Sequence, residues 1–186
     1  MSDADIWLTT ERLGLRRFTG DDLEWFVELY SDPDVTRYLG GTKGRTSTEE
    51  MLNSRILQYY DQHSGLGMWV TTERSSGRRA GFHLLNNIQG ESFIQIGFVL
   101  ARWAWGQGMG TEMASALLRY GFVDLGLPRI VGITSLGNRA SQHVLLKIGL
   151  HRKGERAFSH PAYAAQGPQA WFERDAADWL AERGLA

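Results

Sequence analysis

Cysteine is absent from the 186 residues. That excludes disulfides, thiolate metal sites and a cysteine nucleophile. No apolar stretch approaches the ~20 residues needed to span a bilayer. The opening MSDADIWLTTERL lacks the basic segment and apolar run of a secretory signal. A cytoplasmic protein without a membrane partner is therefore expected. Charge of one sign is missing too, with 20 Lys and Arg against 21 Asp and Glu for a net charge of −1. That balance lacks the electrostatic footprint of a nucleic-acid binder, although one small anion held by backbone groups would leave no such trace. Only four prolines occur, and no repeat or Pro/Ser-rich linker divides the chain. One domain over 1–186 is expected.

Hydrophobic residues make up 42% and charged residues 22%, an ordinary globular composition with enough length for a sizeable core. Alternation and β-rich runs predict seven strands, at 12–18, 68–73, 79–85, 93–100, 128–134, 150–158 and 168–174. FIQIGFVL (93–100) is almost continuously apolar, the pattern of a central strand buried on both faces. Helices are predicted from Thr19 or Asp21 to about Tyr30, briefly within 31–41, and from Thr48 to about His63. In TEMASALLRYGFVDLG, Met113, Ala116, Leu117, Tyr120 and Val123 form one helical stripe. NRASQHVLLKIG reads as a helix between an Asn138 cap and Gly149, and a last helix falls around 176–183. Three strands in a row precede the first long strand–helix–strand unit. A mixed α/β sheet follows rather than a doubly wound one.

WAWGQGMGTEM (103–113) sets Gly106, Gly108 and Gly110 on alternate positions and then turns into helix formers. Glycine costs ~1 kcal/mol relative to alanine inside a helix, so a backbone approached closely by something is one reading. A buried strand, a glycine turn and a helix N-terminus make an anion site, because orphan N–H groups and the helix dipole both favour phosphate. A tight strand–helix turn would also be glycine-rich, and local pattern leaves both readings open. A Walker loop is excluded, since Thr111 and Glu112 follow Gly110 without lysine. A dinucleotide fingerprint belongs to an early βαβ unit, and this motif follows residue 100.

WGQGMGTE resembles the acyl-coenzyme A pyrophosphate loop of the GNAT N-acetyltransferases, Q/R-x-x-G-x-G/A, with Trp105 at the Q/R position. NRASQHVLLKIGL (138–150) is similar to that family's next motif. The opening TERLGLRRFTGDDLEWFVELYSDPDVTRYLGG resembles the branch containing the ribosomal-protein N-terminal (Rim-type) acetyltransferases. The resemblance implies a mixed central sheet of about seven strands, splayed at the centre and flanked by helices. It also implies acetyl-coenzyme A as co-substrate, no metal, and direct passage of acetyl to a primary amine on a protein N-terminus or a small molecule. A homodimer stays open. Backbone groups of Phe98, Val99 and Leu100 would pair with the pantetheine arm in the gap between 93–100 and 128–134. An N–H near Val99 would meet the thioester oxygen. The N–H groups of Gln107, Gly108, Met109, Gly110 and Thr111 would hold the pyrophosphate, and Asn138 would touch the arm.

The same resemblance assigns Ser141 as the acid that protonates the leaving thiolate, with the alternative of a small residue packed under the coenzyme. The tyrosine that serves elsewhere in the family falls at Leu145. The usual glutamate of the central strand is Gln95, which cannot take a proton from ammonium. His83 titrates in a useful range and is a candidate base, against a structural histidine or a water relay. Glu91 is expected in a solvated hairpin loop, and Glu112 is expected to complement the helix dipole. Of seven tryptophans, Trp69, Trp103 and Trp105 are expected near the site, with plain core packing as the reading for most of them. Trp25, Tyr30 and Tyr38 are candidates for an aromatic acceptor pocket, and the 159–169 loop for an overhang. The changes at Gln95 and Leu145 keep a second function open, a non-catalytic coenzyme A-binding sensor.

Overall fold

The structure, a computed structural model, describes residues 6–185. Residues 1–5 and 186, included in the one-domain expectation and in the reading of the N-terminus, lie outside the described residues. The strands are β1 (Ile6–Thr9), β2 (Leu13–Arg17), β3 (Gly67–Glu73), β4 (Arg79–Asn87), β5 (Ile94–Leu100), β6 (Arg129–Ser135), β7 (His151–Arg156) and β8 (Gln169–Asp175). They form one mixed sheet in the order β1-β2-β3-β4-β5-β6-β8-β7. The helices are α1 (Leu23–Ser31), α2 (Pro33–Thr36), α3 (Arg45–Glu50), α4 (Gln58–Gln62), α5 (Met109–Arg119), α6 (Arg139–Lys147), α7 (Pro161–Ala164) and α8 (Ala176–Ala181). The expected mixed α/β class holds, with eight strands instead of about seven. The added one, β1, is four residues of an edge strand, too short for a periodic signal. Among the described residues, no helix is long and apolar enough to cross a membrane.

Contacts divide the chain into two compact units, Met1–Leu84 with Phe98–Met113, and Leu85–Gly97 with Ala114–Ala186. Strands β4 and β5 each contribute to both. In the first unit, β1, β2 and β3 are antiparallel neighbours, registered at Leu8↔Leu15 and Leu15↔Thr71. Leu13 and Leu15 of β2 are fully buried, as the alternation predicts, together with Phe26, Leu52, Ile56 and Phe82. Phe26 stands edge-on to Phe18, Tyr30 and Phe82 at centroid distances of 5.1, 5.0 and 5.8 Å. This geometry places ring edges against ring faces. Tyr30 is therefore core and does not wall a groove. The predicted 48–63 helix is broken in kind, since a π-helical turn at Met51–Leu57 joins α3 to α4.

A carboxylate is buried in this unit. Asp22 accepts Arg16 Nη1 and Nη2 at 2.7 Å each, the Thr19 N–H at 3.0 Å, and lies 3.1 Å from Arg79 Nε. Burial alone would raise its pKa. The two-pronged Arg16 bond, the Thr19 N–H and the two positive charges outweigh it and hold the carboxyl below its ordinary value of 3.8.

In the second unit, β5 runs parallel to β6 with Gln95 opposite Val131, and β6, β8 and β7 are antiparallel. Ile88, Val131, Phe158 and Trp171 form a buried cluster, with Phe93 and Tyr163 packed against it. Arg156 crosses this cluster, its Cζ 4.8 Å from the Phe93 centroid and 4.9 Å from that of Trp171, while its Nη2 meets Glu91 at 3.0 Å. Glu91 is thus half-buried and paired, where a solvated loop was expected. Beyond the fully buried Met113, the buried positions of α5 and its extension are Ala114, Leu117, Leu118, Gly121 and Phe122, whereas Val123 is exposed. A π-helical turn at Tyr120–Asp124 widens the period and carries the stripe away from Val123.

The Asp22 site predicts both a variant effect and a pH dependence. Asp22→Asn leaves buried arginine charge uncompensated and should cost about 3–5 kcal/mol in chemical denaturation. Because the folded pKa lies below the unfolded one, the carboxylate stabilises fully above the ordinary value near 3.8. That contribution disappears as pH falls through the lowered folded value. A wild-type acid unfolding curve identical to that of Asp22→Asn would refute the assignment.

Candidate active site

The glycine stretch folds as a 3-10 turn at Arg102–Ala104, an exposed loop at 105–108 and then α5. Gly106 and Gly108 have φ of +71° and +77°, the left-handed region that glycine enters without a Cβ penalty. Gly110 does not need that freedom. It needs space, because a Cβ there would stand 3.3 Å from Leu100 Cδ1 and 3.8 Å from Phe98 Cδ2. Glu112 N bonds Gly108 O at 3.0 Å, the first helical turn closing directly after the loop. The earlier N–H groups of that turn have no i−4 carbonyl inside the helix. Gln107 and Gly108 are exposed and Met109 and Gly110 buried, so one flank of the loop is open and the other fixed. Such a cradle suits an anion of the diphosphate type in its hydrogen-bonding chemistry.

Four side chains fix the loop. The Trp105 indole Nε1 donates to Leu100 O at 2.8 Å, and Gln107 Nε2 donates to Trp103 O. His83, on β4 and fully buried, has Nε2 3.3 Å from Gly110 O and Nδ1 2.7 Å from Thr71 Oγ1. A carbonyl can only accept, so Nε2 carries the proton and Nδ1 accepts from the threonine hydroxyl. Burial pushes the imidazole down to about 4, against a smaller upward pull from Gly110. Both nitrogens are occupied and neither reaches solvent. Glu112 does more than face the helix dipole. Its Oε1 accepts Thr10 Oγ1 at 2.6 Å and Arg12 N at 3.0 Å, and its Oε2 accepts Arg12 Nε at 2.7 Å.

Strand β5 departs from expectation. Ile96 is buried, but Phe98, Val99 and Leu100 are only half-buried, so the strand is not covered on both faces. Gly81 of β4, at φ +145°, sits so close that an added Cβ would meet Val99 O at 2.1 Å. The Val99 carbonyl thus faces β4. In an extended strand the polar groups of adjacent residues point to opposite edges, so those of Phe98 and Leu100 face away from β4. The Leu100 carbonyl already holds Trp105. Gln95 Nε2 donates to Asn86 Oδ1 at 3.2 Å, a neutral pair at the position where the resemblance led to a carboxylate.

Asn138 caps α6, its Oδ1 accepting the Ser141 N–H at 3.1 Å. The cap leaves the Asn138 amide NH₂ and the Ser141 hydroxyl to other partners, both half-exposed. Leu145 is buried and packs on Gly132, where a Cβ would meet it at 2.8 Å. Trp69 is core, 5.1 Å from Trp7, and Trp103 carries Arg78 at 4.1 Å over its ring. Sequence reasoning missed Thr71, Thr10 and Arg12, whose roles depend on contacts 12 to 102 residues away and leave no local signature.

Comparison with known proteins supplies the family. A family model described as an acetyltransferase (GNAT) domain matches residues 12–151. The chain belongs to the GNAT acetyltransferase family. It is an acetyltransferase, and the family's acetyl donor is acetyl-coenzyme A. The Bacillus subtilis protein YkkB and N-acetyltransferase YoaA are each 32% identical over 152 residues, covering 80% and 79% of this chain and 87% and 84% of their own. An FsC-acetyl coenzyme A-N(2)-transacetylase of Aspergillus fumigatus is 29% identical, over 77% of this chain and 64% of its own. Among solved structures, an acetyltransferase from Agrobacterium tumefaciens superposes with TM-score 0.75 at 25% identity, covering 90% of this chain and 92% of its own. A Vibrio cholerae spermidine N-acetyltransferase in complex with CoA and spermine superposes at 0.72 and 16% identity, covering 92% and 99%; it shares the fold.

Because His83 stays neutral down to about pH 4, it cannot produce a limb in a rate profile near neutrality. His83→Gln should leave the shape of the pH–rate profile unchanged between about pH 6 and 9. Loss of one loop hydrogen bond, worth about 1 kcal/mol, should weaken acetyl-coenzyme A roughly fivefold. Disappearance of a rate limb near neutrality would restore the base role.

Proposed function

We propose that the enzyme transfers acetyl from acetyl-coenzyme A directly to a primary amine within a ternary complex, using one GNAT domain built from both compact units. The observation that carries this reading is the loop at 105–111, whose left-handed glycines and orphan N–H groups suit a diphosphate. The family match spans residues of both units, which supports the single-domain reading. N-acetyltransferase names among the relatives, and an N(2)-transacetylase among them, favour an amine acceptor.

In this reading Gln107, Gly108, Met109, Gly110 and Thr111 hold the diphosphate, and Phe98 and Leu100 pair with the pantetheine amides. The amine nitrogen attacks the thioester carbonyl carbon. An N–H in the Phe98–Leu100 segment stabilises the oxygen as it gains charge. As the carbon–sulfur bond breaks, the Ser141 hydroxyl gives its proton to the sulfur. The ammonium proton leaves through water, since Gln95 cannot accept it and His83 is sealed. Ser141 then recovers a proton from the same solvent. Asn138 orients the arm through its free amide, and His83 acts on the reaction only by positioning Gly110.

Incubation with acetyl-coenzyme A and a panel of N-terminal peptides, polyamines and amino acids, read by thiol release, tests the activity. Amine-dependent release is expected; coenzyme binding with no release for any amine would return the sensor reading. Ser141→Ala should lower turnover by an order of magnitude or more with little change in coenzyme affinity, since general acids contribute ~10²–10⁴-fold. A loss under about threefold gives the proton to solvent instead. Gly108→Val should abolish coenzyme binding in a folded protein, because the left-handed φ costs a β-branched residue about 1–3 kcal/mol and its methyls crowd the open flank. Calorimetry showing wild-type affinity would defeat the loop assignment.

A further inference from the structure

We infer that Arg12, in the turn between β1 and β2, is a phosphate-binding side chain of the coenzyme site, fixed in place by Glu112. The inference rests on the proposed seating of the coenzyme diphosphate on the 107–111 loop.

Three observations lead there. The Arg12 Nη2 lies 3.6 Å from the point a Cβ on Gly108 would occupy, so the guanidinium stands against the open flank of the loop. Its orientation is set along one edge, because Nε and Nη2 meet Glu112 Oε2 at 2.7 and 2.6 Å. A guanidinium has five N–H donors in a fixed fork, and this edge uses one on each of two nitrogens. The Nη1 pair and the second Nη2 hydrogen remain, the edge geometry that grips a phosphate bidentately. The side chain is also 44% accessible, unlike buried Arg16 and Arg174, so an incoming anion can reach it.

Glu112 explains why the arrangement favours an anion. A carboxylate in the first turn of α5 would compete with phosphate for the orphan N–H groups. Here both of its oxygens are taken by Thr10, the Arg12 backbone and the Arg12 side chain. Burial alone would raise its pKa, but these bonds and the Arg12 charge hold it below the ordinary carboxyl value. The carboxylate is thereby turned into an anchor for the arginine, and the helix start keeps its positive end for the ligand. The phosphate concerned is the diphosphate or the ribose 3′-phosphate, and the two separate experimentally.

The test is calorimetry on the full chain with coenzyme A, 3′-dephospho-coenzyme A and pantetheine. Arg12→Ala should weaken coenzyme A at least tenfold, flatten the dependence of affinity on salt, and leave pantetheine binding unchanged. An equal loss for the dephospho compound assigns the diphosphate; a loss for coenzyme A alone assigns the 3′-phosphate. Affinity within threefold of wild type for both nucleotides, or an equal loss for pantetheine, overturns the inference. Should Arg12→Ala fail to fold, Arg12→Lys keeps the charge without the fork. It should still lose affinity for the phosphorylated ligands alone, and wild-type affinity in that variant is the overturning result. Failure of the wild type to bind coenzyme A at all would instead defeat the coenzyme reading of the loop.

Discussion

The proposed coenzyme site depends on where the first turn of α5 is held, because its N–H groups can serve one anion only if they converge. Helix-internal bonds cannot fix them, since those N–H groups precede the first i−4 carbonyl. Side chains do it instead. The Thr71–His83–Gly110 chain reaches the turn from β3 and β4, and the Thr10–Glu112–Arg12 cluster reaches it from the β1–β2 turn. The loop that precedes it is tied by Trp105 and Gln107. The first set is buried and neutral, so it is insensitive to salt and to pH above the low imidazole value. The second is charged and half-open, so it answers to ionic strength. In the proposed site, a phosphate-sized anion would meet a backbone held by neutral bonds on one side and a charged cluster on the other.

The same division explains the histidine. A buried imidazole with two protein partners is poorly suited to shuttling protons, because charging it would desolvate a cation and turn Nδ1 from an acceptor into a donor facing the Thr71 hydroxyl. As a neutral crosslink it suits its place, since one ring satisfies a carbonyl and a hydroxyl that would otherwise be orphaned in the core. The buried Asp22 solves a related problem with charge. Its carboxylate gathers Arg16, Arg79 and the Thr19 N–H at the point where β2 turns into α1, and pairing makes the burial tolerable.

Pattern and caps made most elements legible. Alternation marked β2, a continuous apolar run marked β5, the Asn138 cap marked α6, and glycine spacing marked the loop. Three kinds of feature were hidden. The edge strand β1 has four residues and no period to detect. The π-helical turns at 51–57 and 120–124 change the helical period without changing composition, which is why Val123 was placed on the wrong face. Contacts between distant residues, Thr10 with Glu112 and Thr71 with His83, have no sequence signature at all. Within the candidate site, the left-handed loop and the helix start could be anticipated because glycine spacing and chain order announce them. Side-chain roles could not, because whether a histidine is a base or a crosslink is decided by burial.

Gln95 and Asn86 carry the last step. A carboxylate at the Gln95 position would draw a cationic amine by charge and then take its proton. An amide paired to another amide can only offer hydrogen bonds, so attraction and deprotonation have to be separated. In the proposed mechanism the attacking nitrogen would lose its proton to water before or during attack, and the fraction of neutral amine would limit the rate. That favours acceptors whose amine is already weakly basic. An α-amino group near pKa ~8 supplies far more neutral nitrogen at pH 7 than a lysine-like amine near ~10.4, by a factor of a few hundred. In the proposed mechanism, an amide in place of a carboxylate at position 95 would thus leave the basicity of the acceptor to govern how much reactive amine is available.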